Sequence, residues 1–293
     1  MSSLKKIDTL ENVNLEKLCT IKIGGIGKHI FFPKTEEEFK IIQSQSLDKD
    51  KKLILLGIGS NTIFKDGKLD YFFISTRKFK YIKYWEKGDY FYIHTSAGVS
   101  FKEITSIVKE KNLEGFENLA GIPATIGGAI SMNAGAFNTE IFDIVEKVYW
   151  LNRHNEIIES KKEDILYGYR YTQFQQEGIV LSAILKLKKT NKPISKIIKQ
   201  IIINRNKKQP VNIHTCGSTY KNPKQYPAGF LLEQSGLKGY KIKEIAFSNK
   251  HANFLVNLGK ATYSDLIKLL EYAENLVNSN FGIKLQREVK IVE

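Results

Sequence analysis

The chain has 293 residues, of which 42% are hydrophobic and 11% aromatic, and a formal charge of +14. Such a length and apolar content fit a globular protein of two or three domains, and no apolar run is long enough to span a bilayer. The charge admits anionic partners, but the lysines are spread through a chain also rich in Ile and Asn, and no nucleic-acid-binding module is readable. The start, MSSLKKIDTLENVN, lacks the apolar core of a secretory signal, so a cytoplasmic location is expected. Cys19 and Cys216 predict neither a disulfide framework nor a zinc site, and the histidines have no ligand spacing, so no metal is expected.

In chain order, Thr20–Pro33 reads as a β segment interrupted by Gly24, Gly25 and Gly27. Thr35 with Glu38 forms a capping-box pattern, opening a short helix that buries Phe39 and Ile42. A buried strand over Lys51–Leu56 runs into Gly57-Ile-Gly59-Ser60-Asn61-Thr62. This is not the dinucleotide fingerprint, because Thr62 stands where the third glycine belongs and no long helix follows. Amides of Gly59, Ser60 and Asn61 remain suited to a diphosphate. Strands are expected at Tyr71–Ile74 and Tyr90–Thr95, then a second capping box at Ser100–Glu103. It opens an amphipathic helix with Phe101, Ile104, Ile107 and Val108 inward, ending near Gly115.

The stretch from Gly115 to Ala136, GFENLAGIPATIGGAISMNAGA, is rich in glycine and almost uncharged. Its glycines and Pro123 argue against an ordinary helix, and it is too apolar for a solvated linker. Two readings stand open: backbone held against a phosphate-bearing ligand, or a packed crossing of glycine turns with no ligand. A hairpin follows, Val145–Leu151 with Ile157–Ser160, and then a strand over Ile179–Leu187. Lys188–Pro193 is the best linker candidate. Beyond it come helices from Pro193 to about Lys208, over Pro227–Gln234 closed by Gly236, and after Thr262 to near Gly282, then a last strand over Lys284–Val292. The organisation is α+β.

Candidate chemistry is weak residue by residue. Ser218, in TCGSTYKNP, can be a nucleophile, an acid or a turn former, and the G-x-S-x-G elbow is absent. Cys216 near His214 reads best as a small buried hydrophobe. Arg170, among tyrosines in YGYRY, can fork onto a carboxylate or phosphate, or merely stack on a ring. Glu288 alone reads as a solvated strand residue.

Taken together and in order, GIPATIGGAISMNAGAF, LGIGSNTIF, TIKIGG, YGYRYTQF, RNKKQP, CGSTYKNP, AGFLLEQSGLKG, SNKHANFLVN and REVKIVE closely resemble the UDP-N-acetylenolpyruvoylglucosamine reductase family over nearly the whole chain. The resemblance implies a three-domain flavoprotein, with a two-lobed FAD-binding region of the vanillyl-alcohol-oxidase type at residues 1–66 and 67–189 and a substrate-binding α+β domain at 190–293. It implies that NADPH reduces FAD and that hydride then passes from flavin N5 to the β-carbon of UDP-N-acetylglucosamine enolpyruvate. The resulting enolate takes a proton from the enzyme at its α-carbon. By motif, Ser218 is the proton donor, Arg170 grips the substrate carboxylate, and Glu288 hydrogen-bonds it in a protonated state, which implies a raised pKa. Asn222, Lys208 and Tyr169 fall at substrate contacts. Gly57, Gly59, Ser60, Asn61, Thr62, Gly121, Ile122, Pro123, Thr125, Gly127, Gly128, Asn133 and Gly135 fall along the FAD. A small-molecule substrate and a monomer are expected, with neither nucleic acid nor membrane as partner.

The chain departs from the family pattern where Thr172 replaces a serine, where Asn204-Arg205 replaces paired arginines, and in lacking room for a tyrosine-bearing insertion. Two other readings compete: a flavin oxidase of a sugar or alcohol using oxygen, and a basic nucleotide-binding protein without catalysis.

Overall fold

The computed structural model describes residues 4–293. Seven helices are present among them, α1 (Glu36–Asp48), α2 (Phe101–Glu110), α3 (Ile126–Ser131), α4 (Phe174–Glu177), α5 (Ile194–Lys208), α6 (Ala228–Gln234) and α7 (Tyr263–Phe281). None is long and apolar enough to cross a membrane. The chain divides into two compact units, one of residues up to Leu10, His29–Gly57 and Tyr71–Asn204, the other of Glu11–Lys28, Ile58–Asp70 and Arg205–Glu293.

The first unit is built on a six-stranded sheet in the order Ile157–Lys161, Val145–Asn152, Gly178–Lys189, Tyr90–Ser96, Ile82–Lys87, with Leu113–Glu114 also paired to Gly178–Lys189. One face buries Phe91, Ile93, Val148 and Leu185 against Phe101, Ile104 and Val108 of α2 and Ile194 and Ile198 of α5. Each such side chain contributes about 1.5–3 kcal/mol on leaving water. The capping box of α2 is complete: Glu103 N donates to Ser100 Oγ and Ser100 N to Glu103 Oε2. This helix ends at Glu110, earlier than Gly115, because Asn112 turns left-handed at φ 52° and starts the next short strand. A second core packs Phe39 and Ile42 of α1 with Phe72, Ile74 and Leu181. Thr35 caps α1 as expected, accepting from Glu38 N at 3.3 Å, but Glu38 Oε2 reaches Lys34 N instead of the Thr35 amide. Leu53–Leu56 runs parallel to Lys68–Ser75. Strand Ile82–Lys87 is invisible in the sequence, since this edge strand is exposed over most of its length and Trp85 stacks on Tyr92 at 5.4 Å on the open face.

The glycine-rich stretch does contain a helix, which corrects the expectation from composition. Thr125 caps α3, its Oγ1 accepting from Gly128 N, and Ile126 N and Gly127 N donate to Val99 O (2.8 Å) and Ala97 O (3.0 Å). A Cβ at Gly127 would lie 2.7 Å from Ala97 Cβ, so tertiary packing selects glycine here against helix propensity.

The second unit has a four-stranded sheet in the order His214–Ser218, Phe254–Asn257, Ile245–Phe247, Lys241–Ile242, antiparallel throughout. α7 buries Leu266, Leu269, Ala273 and Val277; Thr262 Oγ1 caps it by accepting from Asp265 N, and Gly282 at φ 66° closes it. The last strand forms only over Lys290–Val292, parallel to Thr62–Phe64. Likewise the early β segment forms only over Ile26–Phe31.

Candidate active site

Three segments distant in sequence meet in the second unit. Glu288 N donates to Thr219 O at 2.8 Å and Lys221 N to Gln286 O at 2.9 Å, so the REV segment lies along the chain that follows Ser218. On its other side, Asn61 Nδ2 donates to Glu288 O at 3.1 Å and Lys290 N to Asn61 O at 2.9 Å. A Cβ at Gly217 would meet only Ser60 O, at 3.8 Å. Ser218, Glu288 and the Gly59–Thr62 turn are thus gathered by backbone hydrogen bonds. Ser218 and Glu288 are each half-buried.

Ser218 is not a turn former, one of the readings its sequence allowed. It ends strand His214–Ser218, whose register with Phe254–Asn257 slips between Thr215 and Ser218, and Gly217 in the slip has φ 77°. Such a bulge turns the side chain that follows it off the regular alternation of the strand. Cys216, in the same bulge, is buried, and burial pushes its thiol up to about 12, which leaves it the inert hydrophobe expected.

The turn at Gly59 is formed by contacts within its own unit. Gly59 adopts φ 72°, and its carbonyl accepts from Thr20 N at 3.0 Å. The amides of Gly59, Ser60 and Asn61 donate to no protein acceptor among the described residues, although Gly59 is buried. Three adjacent amides of this kind fit a diphosphate. Thr62, by contrast, is committed to the parallel pairing with Lys290.

In the first unit the glycine block holds Arg170. Its Nη1 donates to Asn133 O (3.2 Å) and Nη2 to Gly135 O (2.8 Å), and its guanidinium lies 3.6 Å from Glu140 Oε1 and 4.9 Å from the Tyr169 ring. Arg170 takes the left-handed conformation at φ 54°, costing about 1–2 kcal/mol for a residue with a Cβ. Asn133, fully buried, donates from Nδ2 to Glu140 Oε2 (2.6 Å) and Gly168 O (3.0 Å), tying block and arginine segment together. Thr172 keeps the hydroxyl expected of it, which donates to Ser131 O at 2.8 Å. Gly57 packs on Thr125, since a Cβ there would lie 2.4 Å from Thr125 Oγ1. The first amides of α3 are spent on Ala97, Val99 and Thr125, so this part of the block offers shape, with the exposed Gly121, Pro123 and Gly128 beside half-buried Ile122 on its surface.

Three expected residues stand differently. Asn222 is exposed and its Oδ1 caps α6 by accepting from Ala228 N at 3.0 Å. Lys208 is exposed in the last turn of α5, and Tyr169 is exposed beside Arg170. Glu140, Arg77 (Nε to Gly57 O, 3.2 Å) and Asn253 support the expected residues but carry no sequence signal, because Arg77 and Asn253 act on backbone groups and Glu140 on side chains brought to it by the fold, none of which a spacing rule reveals.

The family model of an FAD binding domain matches residues 27–160, and that of the UDP-N-acetylenolpyruvoylglucosamine reductase C-terminal domain matches residues 209–292. The UDP-N-acetylenolpyruvoylglucosamine reductase of Aquifex aeolicus is 38% identical over 97% of this chain and 95% of its own, and that of Fusobacterium nucleatum is 36% identical over 96% and 98%. The crystal structure of the corresponding Thermus caldophilus enzyme matches with a TM-score of 0.81 and 27% identity, covering 98% of this chain and 99% of that one. The chain is an FAD-binding domain followed by the family's C-terminal domain, and it belongs to the UDP-N-acetylenolpyruvoylglucosamine reductase family.

Proposed function

We propose that this protein reduces UDP-N-acetylglucosamine enolpyruvate to UDP-N-acetylmuramate at the expense of NADPH, with Ser218, Arg170 and Glu288 as its catalytic residues. The observation that supports this reading is the hydrogen bond from Glu288 N to Thr219 O, which joins the backbone of one candidate residue to the residue that follows the other. FAD, when bound, would supply the hydride-transfer chemistry between NADPH and the enol ether. The Gly59–Asn61 amides would hold its diphosphate, and Gly57, Thr125, Gly127, Gly128, Asn133 and Gly135 would shape its seat.

Ser218 gives the proton to the α-carbon. A hydroxyl is a weak acid, but a carbanionic enolate is basic enough to take its proton. Arg170 binds the substrate carboxylate and offsets the charge that develops on the enolate, its guanidinium preorganised by two backbone carbonyls. Glu288, in its protonated form, donates a hydrogen bond to the same carboxylate. Asn222, Lys208 and Tyr169 contact the sugar nucleotide, within a substrate domain over residues 190–293 that follows lobes 1–66 and 67–189. On this reading the product is a peptidoglycan precursor, and the enzyme acts in the cytoplasm as a monomer.

An anaerobic visible spectrum tests the function. NADPH should abolish the flavin bands, and UDP-N-acetylglucosamine enolpyruvate should restore them. Recolouring by oxygen alone would leave the fold and remove the substrate. Glu288→Gln tests the neutral carboxyl: the amide still donates, so turnover within about 10-fold of wild type is expected, whereas Glu288→Ala should lose about 10²–10³-fold. Equal losses for both variants in steady-state assays would reject a protonated Glu288.

A further inference from the structure

We infer that Asn253 is the positioning residue for Ser218, acting through a two-bond bracket on the Tyr220 backbone. The inference rests on Ser218 being the proton donor. Asn253 Oδ1 accepts from Tyr220 N at 2.9 Å and its Nδ2 donates to Tyr220 O at 2.8 Å, while Asn253 O accepts from Thr219 N at 2.8 Å. Both side-chain bonds require one orientation of the amide, because an exchanged oxygen would face a carbonyl and an exchanged nitrogen an N–H.

The bracket sits just past an irregularity of the sheet. After the slip at Gly217 the ladder resumes at Ser218 opposite Phe254, and Asn253 then holds Thr219 N through its backbone carbonyl and Tyr220 through its side chain. Asn253 is itself fixed: it is 3% exposed, and its N–H donates to His251 Nδ1 at 3.2 Å. Burial lowers the pKa of His251, which keeps that nitrogen an acceptor. The other edge of the same segment is held by Glu288 N on Thr219 O. The segment that follows Ser218 is therefore held on both edges, and on the Asn253 edge the two bonds to Tyr220 are made by a side chain that mutation can remove.

A proton donor displaced by about 1 Å costs roughly 10²-fold, so removing the bracket is expected to slow the enolpyruvyl-dependent reoxidation of the flavin about 10–100-fold. Reduction by NADPH does not use Ser218 and should change less than about 2-fold. Two variants are compared by anaerobic stopped-flow, Asn253→Ala and the near-isosteric Asn253→Asp, which retains an acceptor for Tyr220 N but sets an oxygen against Tyr220 O; a normal NADPH half-reaction reads that each variant is folded and loaded with flavin. Each is also combined with Ser218→Ala. If Asn253 works through Ser218, either Asn253 change costs less than about 2-fold further in the Ser218→Ala background. An equal factor in both backgrounds, or equal slowing of both half-reactions, overturns the inference. Ser218→Ala alone separates the premises: if it leaves reoxidation intact, the proton-donor assignment falls, and if it slows reoxidation while the Asn253 changes do not, only this inference falls.

Discussion

Ser218→Ala is expected to let NADPH bleach the flavin at the wild-type rate while recolouring by UDP-N-acetylglucosamine enolpyruvate slows about 10²–10⁴-fold, the range for losing a general acid. The two half-reactions separate because only the second needs a proton delivered to carbon. The substitution itself is structurally mild. Ser218 is half-buried at a strand end, and the bonds that fix its surroundings run through Thr219 O, Tyr220 N and Tyr220 O, none of which is lost with the hydroxyl. Flavin content and melting temperature should therefore stay near wild type. Ser218→Cys restores a proton donor at the same place and should recover part of the loss. Stopped-flow absorbance at the flavin band reads both steps in one sample. A parallel collapse of both would make Ser218 a structural residue and leave the enolate without a donor.

Local signals were legible where backbone hydrogen bonds close within a few residues. The boxes and caps at Thr35, Ser100 and Thr262, the hairpin over 145–160 and the stop at Gly282 all follow from short-range chemistry. What sequence could not show is where long-range pairing overrides local preference. α3 forms in a glycine-rich run because Ala97 and Val99 accept its first amides. The sheet of the second unit is built from strands of two to five residues, too short for periodicity to register. The site shows the same division. Ser218, Arg170 and Glu288 emerged only as parts of a family-wide pattern, and the residues that fix them, Asn253 and Glu140, carry no signature because their partners are main-chain atoms or lie across a turn.

Gly59→Ala is expected to yield a protein that folds but binds flavin about 10- to 100-fold more weakly, the effect of losing one hydrogen bond to a charged group at about 1.5–3 kcal/mol. Two costs fall on the same atom. The left-handed φ of 72° penalises any Cβ, and that Cβ would lie 2.0 Å from Leu18 O and 2.7 Å from Cys19 Cα. Both obstacles are backbone, so the turn must move instead of a side chain. Its displacement carries the Ser60 and Asn61 amides away from the position proposed for holding a diphosphate. It also pulls on Asn61, whose Nδ2 holds Glu288 O, so catalysis should suffer beyond the loss of cofactor. Gly67→Ala separates strain from collision: Gly67 has φ 89°, but a Cβ there meets nothing within 4 Å. That variant should melt somewhat lower yet keep its flavin through dialysis. Fluorescence titration of each apoprotein with FAD decides the matter. Equal affinity in Gly59→Ala and Gly67→Ala would mean that the Gly59 turn does not hold the cofactor, and the diphosphate must then be held by other residues.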